Sequence, residues 1–334
     1  MDTFYLILGI ALLVLVAVDA LWTALWVDGG AGPLSSRMST WLWHSLLGLV
    51  GSRHHRGLSL FGPFFLVFGL LTWIGLLWAG WVFVFAGEPS SLQHSSDKSS
   101  ADWAGRIYFV GYMMFTAGNG DYKPQGDVWQ LVSAATNASG MILVTLALTY
   151  LISVLSAVVA KRALASDIAG LGSSSQDLLL TGWNGKDFRS LDFSLSALGS
   201  SLSALSQQYE SYPILQYYHA ARAAKSPIVA VAKLDEALSI LHHGVPEDIR
   251  PNPALLHAAR SSVESFLETM PGAFIDKAPH APSAPDLSKL RDAGVPTVSE
   301  QHFASALEEA SDRRRMLLGG VRDDGWEWKD VTGE

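Results

Sequence analysis

The chain has no cysteine, few charges and no excess of positive charge. Without Cys there can be no disulfide framework and no thiolate metal site, and the redox compartment is left open. Charged residues make up only 16% of the 334 positions, against about 25% in an average soluble domain. Part of the chain is therefore built to avoid water. A formal net charge of -8 with scattered cations offers no basic face, which excludes a nucleic-acid partner. The second half shows no HExxH, nucleophile elbow or GxGxxG after a strand, so no enzyme is expected and no cofactor.

The charge deficit is uneven. Residues 1–160 hold 6 Lys+Arg and 8 Asp+Glu, leaving 23 − 6 = 17 and 31 − 8 = 23 for residues 161–334. Three runs in the poorer half are long enough, at about 1.5 Å per residue, to cross a hydrocarbon core of ~30 Å. They are Phe4 to Val27, with only Asp19 charged, Leu58 to Gly87, with none, and Val128 to Ala160. A cleavable signal peptide would want a positive n-region, and Asp2 is the only charge before the first run. Thr136, Asn137, Ser139, Thr145 and Thr149 mark the third run as facing a bundle or water. Trp41 to Gly51 is too short to span and reads as an interfacial helix. Trp22, Trp26, Trp78, Trp81 and Trp129 fall near span ends, as an aromatic belt would. Arg37, Arg53 and Arg56 on the first connection and Lys161-Arg162 after the third run predict a multi-pass protein of the cell (inner) membrane, its N-terminus outside and its C-terminal domain cytoplasmic.

Between the second and third runs, Trp103 to Phe115 turns apolar again and is followed by Thr116-Ala117-Gly118-Asn119-Gly120-Asp121. Thirteen residues are too few to span, so a re-entrant helix is expected. Irregular backbone at that depth survives only where protein buries it or water is beside it. Alternating Gly118 and Gly120 suit a backbone whose successive carbonyls point one way.

These residues resemble the pore of the potassium-channel family, whose filter signature is TVGYG. TAGNGD keeps the Thr, both Gly and the trailing Asp, with Ala117 for Val and Asn119 for the aromatic. The resemblance covers Leu58 to about Ala160 and implies span, pore helix, filter, span. It assigns K+ binding to Thr116, Ala117, Gly118, Asn119 and Gly120, the outer mouth to Asp121, a gating hinge to Gly140, and the cavity lining to Met141, Val144, Leu148 and Ile152. One strand supplies one carbonyl per layer, so a homotetramer in membrane lipid is implied, with K+ or other monovalent cations as cargo. Asn119 lacks the ring that braces the family's filter, which leaves weak selectivity as an alternative; a non-conducting scaffold or sensor is another. Glu88, Asp97, Asp102, Asp121 and Asp127 against Lys98, Arg106 and Lys123 give the 88–127 segment a net of -2, which four copies would use to concentrate cations. No run carries Arg or Lys at regular three-residue spacing, which excludes the usual voltage sensor.

The expected class is an all-α membrane protein: three transmembrane helices with a re-entrant pore helix and filter loop, and a helical cytoplasmic domain. The expected boundaries are 1–57, 58–162 (pore), 163–275 (helical domain), 276–298 (Pro-rich linker) and 299–334 (C-terminal helix and tail). Leu191, Leu195, Leu198, Leu202, Leu205, Tyr209 and Tyr212 keep an a/d spacing that fits a four-stranded coil or one seam of an intrachain bundle. Asp19 within a span is a functional candidate, with a partner on a neighbouring helix as the simpler reading. His54 and His55 could sense pH or sit solvated at the interface. Arg313-Arg314-Arg315 could touch anionic lipid or pair with Glu308, Glu309 and Asp312.

Overall fold

The computed structural model describes residues 2–26, 30–50, 55–118, 120–270 and 276–333; at 44, 46–50, 55 and 56 it describes the backbone alone. Arg53 and His54 therefore lie outside the described residues. The first part of the chain runs α1 (Thr3–Leu25), α2 (Pro33–Val50), α3 (His55–Leu58), α4 (Phe61–Ala86), β1 (Leu92–His94), α5 (Trp103–Met114), β2 (Tyr122–Pro124) and α6 (Gly126–Leu171). The three apolar runs appear as α1, α4 and α6, each long and apolar enough to cross a membrane. The protein is an all-α membrane protein with a helical C-terminal region. The chain divides into two compact units: Met1–His44 with Pro63–Val154, and Ser45–Gly62 with Leu155–Glu334. The second unit thus takes the start of α4 and the last part of α6, a different partition from the sequence expectation.

In the first unit the core is apolar and aromatic: Val16, Trp73, Leu77, Phe85, Phe109, Val110 and Leu143 are buried together. The indoles of Trp78 and Trp81 donate to neighbouring helices, Trp78 Nε1 to Ile107 O on α5 (3.0 Å) and Trp81 Nε1 to Ser139 Oγ on α6 (2.8 Å). Each oxygen satisfies an indole N–H that would otherwise be unmatched in an apolar bundle. The helix that contains Trp41 starts earlier than expected, because Pro33 is pre-set for a first helical turn and opens α2.

The second unit continues with α7 (Ser175–Gly182), α8 (Asp192–Ser211), α9 (Pro227–Ser239), α10 (Pro253–Glu268), α11 (Ser288–Asp292), α12 (Glu300–Leu307), α13 (Ser311–Asp323) and α14 (Lys329–Thr332). Every residue of α9 is buried, as befits a central helix wrapped by α7, α10, α13 and α14. The a/d stripe of α8 packs along α10, with Tyr209 edge-on to Phe266 at 5.7 Å, so the intrachain seam accounts for it. The expected linker over 276–298 is a packed segment: Ala278, Leu287, Leu290 and Val295 are buried, and α11 lies within it. Arginines hold it there, since Arg315 Nε donates to Ala278 O (2.7 Å) and Arg314 Nη2 to Ser283 O (2.7 Å). The Arg triplet serves the interior and not lipid. Arg313 reaches Asp235 (2.8 Å) and Glu264 (3.5 Å), Arg314 forms a two-pronged pair with Glu236 (2.7 and 3.1 Å), and Arg315 contacts Asp312 at 3.5 Å.

Candidate functional site

The 102–126 segment starts with a helix cap. Asp102 accepts from Gly105 N at 2.7 Å and fixes the first turn of α5. The helix ends in a Schellman-type closure: Thr116 N donates to Met113 O (3.2 Å) and Ala117 N to Tyr112 O (2.9 Å). That closure places Thr116 at φ 58°, in the left-handed region. A β-branched residue there is an outlier that the surroundings must impose, at a cost of about 1–2 kcal/mol. Ala117 is not in that region, and Gly118 returns to it at φ 56°. A Cβ on Gly118 would meet nothing within 4 Å, so conformation and not space calls for glycine. The alternating sign of φ over 116–118 is the pattern that turns successive carbonyls toward one side.

Thr116, Ala117, Gly118 and Gly120 are all exposed; Asn119 lies outside the described residues. The two-stranded antiparallel sheet β1–β2, which brackets α5 in sequence, grips the far end of this segment. Ser95 N donates to Asp121 O at 2.7 Å, Ser95 Oγ donates to Gly120 O, and His94 stands edge-on to Tyr122 at 5.2 Å. Tyr108 OH lies 3.5 Å from Asp121 Oδ2, and Tyr112 OH donates to Tyr122 O at 3.3 Å. Ser95, Tyr108 and Tyr112 are bracing residues that sequence reasoning missed. Tyr108 and Tyr112 repeat at i, i+4 on α5, a spacing that points two hydroxyls the same way. Ser95 sits in a Ser-rich stretch with no distinguishing neighbour.

The assigned α6 residues separate into two groups. Met141, Val144, Leu148 and Ile152 are exposed at 55%, 42%, 56% and 57%, while Leu143, Ala147, Tyr150 and Val154 on the opposite face are buried. An apolar stripe at 3-4-4 spacing is thus left uncovered by this chain. Gly140 belongs to the packed side. A Cβ there would lie 2.4 Å from Met114 O and 2.8 Å from Met114 Cα, so α6 touches the backbone of the last turn of α5 two residues before Thr116. α6 runs without a break through Gly140. Beside any hinge role, this glycine permits a close approach.

Asp19 has its partners. Oδ1 accepts from Leu34 N (2.8 Å) and Ser35 N (3.1 Å), and Oδ2 from Ser35 Oγ (2.6 Å) and Trp73 Nε1 (2.8 Å). The carboxylate caps the start of α2 from α1 and holds α4 through Trp73, which is the simpler of its two sequence readings.

In the second unit, Lys161 on α6 is 6% exposed. Its Nζ donates to Leu215 O (3.0 Å) and Tyr218 O (2.9 Å) and stands 5.3 Å from the Tyr209 ring centre. The Tyr218 ring in turn lies against Gly62 at the start of α4, where a Cβ would come within 2.4 Å of it. The 215–218 segment therefore touches the start of α4 and the last part of α6. No group of three or more potential metal ligands occurs among the described residues.

The chain thus has three apolar helices, a short helix between the second and third, and an exposed irregular segment after that helix. Residues 58–157 match the sequence profile of a family described as "Ion channel". Over 328 residues the chain is 43% identical to "Uncharacterized membrane protein YdjJ" of Bacillus subtilis (strain 168), covering 98% of this chain and 96% of that one. The chain belongs to the family of that membrane protein, and its residues 58–157 are similar to an ion-channel family. No solved structure matches it.

Proposed function

We propose that the chain is one subunit of a homotetrameric, potassium-selective channel that conducts K+ passively through the backbone carbonyls of residues 116–120. The observation that carries this reading is the alternation of φ over Thr116, Ala117 and Gly118 immediately after α5, inside the region that matches the ion-channel family. Exposure of that segment supports assembly, because irregular backbone at membrane depth must be buried in protein or line water. The exposed stripe Met141, Val144, Leu148, Ile152 then lines the cavity below the filter, and Asp121 and its neighbouring acids draw cations to the outer mouth. The positive-inside arrangement sets the N-terminus outside and the second unit in the cytoplasm. The chain is no enzyme in this reading, needs no cofactor, and has lipid, cations and its own copies as partners.

Gating is transmitted through Lys161. The cytoplasmic unit holds the end of α6 by two carbonyls and the start of α4 by the Tyr218 ring, so a shift of the 212–218 segment moves both helices. Bending of α6 near Gly140 would also press on Met114 and through it on the filter. Reversal potentials in planar bilayers test the selectivity. Potassium selectivity predicts a reversal near the K+ equilibrium potential; a value near zero in opposed K+ and Na+ gradients supports the weakly selective alternative that Asn119 favours.

A further inference from the structure

The segment after α5 is held at its two ends by different parts of the chain. Its near end is closed by α5 itself, through Thr116 N and Ala117 N donating to Met113 O and Tyr112 O. Its far end is held by Ser95, on the connection between α4 and α5. One residue makes both contacts there: the Ser95 amide donates to Asp121 O at 2.7 Å, and the Ser95 hydroxyl donates to Gly120 O. Two successive carbonyls are thus turned toward a single residue.

Gly120 does not fix that direction by itself. A Cβ added at Gly120 would meet nothing within 4 Å among the described residues, so no packing restrains the backbone there, and glycine has the widest conformational range of any residue. The hydroxyl supplies the restraint. It takes one lone pair of Gly120 O and leaves the second for another partner, since a carbonyl oxygen accepts two bonds.

Ser95 is itself firmly mounted. It follows His94, which pairs with Tyr122 across the β1–β2 sheet, and the turn beyond it closes through Lys98 N to His94 O (3.0 Å) and His94 N to Ser99 O (2.9 Å). At the base of the connection Leu92 is fully buried, and the buried Ser91 Oγ donates to Phe85 O (2.7 Å) in the last turn of α4. Neighbouring hydroxyls are engaged elsewhere: Ser96 Oγ lies 2.8 Å from His94 Nδ1, and Ser99 Oγ donates to Asp97 Oδ1 at 2.7 Å.

We propose that Ser95 is a positioning residue for ion selectivity: its hydroxyl and amide set the direction of the Gly120 and Asp121 carbonyls, and with them the outermost cation site, from the connection before α5. This rests on the reading of residues 116–120 as the conduction path. Discrimination by carbonyl oxygens depends on where those oxygens are held, so the residue that holds the last of them bears on which ion passes.

Reversal potentials of the full-length protein in planar bilayers, with potassium chloride on one side and sodium chloride on the other, give the sodium-to-potassium permeability ratio. Ser95→Ala keeps the amide and removes the hydroxyl; it should raise that ratio by roughly twofold to tenfold, the range that the net worth of one hydrogen bond allows. Ser95→Thr, which keeps a hydroxyl, should stay near wild type, and Ser99→Ala, a control in the same turn, should equal it. A residue that only stabilises the fold would change the number of active channels and leave the ratio of the survivors alone. Should Ser95→Ala fail to reach the membrane, Ser95→Thr against Ser95→Val, which share a shape and differ in the hydroxyl, reads the same effect. A wild-type ratio in conducting Ser95→Ala or Ser95→Val channels would overturn this role and leave the conduction path standing, whereas no current from wild type, or no discrimination by it, would overturn both.

Discussion

The two units bury carboxylates in opposite ways. Asp19, fully buried among the apolar helices, is matched by neutral donors alone: two backbone amides, a hydroxyl and an indole. Glu236, 2% exposed in the helical unit, is matched by the guanidinium of Arg314. The difference follows from composition. The first unit has few cations to offer, whereas the second has 17 Lys+Arg from residue 161 onward. It teaches that a charge in a span can be wholly structural, because its neighbours are backbone groups at a helix start that exist whatever the side chains are.

The largest effect should come from Asp19→Ala. It strands the Leu34 and Ser35 amides and the Trp73 indole in an apolar interior, at a cost on the order of 3–5 kcal/mol. Loss of folded protein from membranes and a lower thermal midpoint in detergent would register it; a midpoint within a degree of wild type would contradict it. Arg314→Met should cost about 3 kcal/mol by leaving Glu236 uncompensated, yet the double change Arg314→Met/Glu236→Leu should recover most of that loss, since a buried pair replaced by apolar groups is often neutral. No second substitution can rescue Asp19→Ala in the same way, because two of its donors are backbone amides. A denaturation series on the three variants decides between these behaviours.

Gly140→Ala comes next. Its Cβ would collide with the Met114 backbone, so about 1–3 kcal/mol of overpacking strain is expected, together with altered ion selectivity through displacement of Thr116. Unchanged reversal potentials in this variant would confine Gly140 to bending alone. The smallest effect concerns pH in the helical unit. Burial first, then the charges of His242, Arg260, Arg250 and Arg313, lowers the His243 pKa to about 4. A histidine depressed in the folded state leaves the unfolded chain binding more protons, so stability is fully present above about 6.5 and falls as pH drops towards 4. His243→Gln should flatten the stability curve across that window.

The three apolar helices and the short helix between the second and third were legible because continuous apolar runs and one Gly-alternating segment need no partner to be recognised. The central position of α9 was not, since a helix buried on every side in a water-facing unit shows no contrast between faces. The Pro-rich 276–298 segment misled for a physical reason. Prolines exclude regular structure, but arginine side chains from α13 satisfy its carbonyls and dock it as firmly as a helix. Around residues 116–121 the motif could be read from the sequence, while the brace could not: Ser95 reaches Gly120 and Asp121 only because β1 pairs with β2, Leu92 opposite Pro124 and His94 opposite Tyr122.

Cation flux from potassium-loaded liposomes tests the central claim most directly, comparing wild type with Gly118→Ala. Gly118 has open space around it and a φ of 56°, so an added methyl perturbs the backbone conformation and little else. Barium-sensitive flux in wild type, abolished or strongly reduced in a Gly118→Ala protein that keeps its helix content and size in detergent, is the predicted result. No flux from wild type, or equal flux from both, would contradict a pore lined by the backbone of residues 116–120.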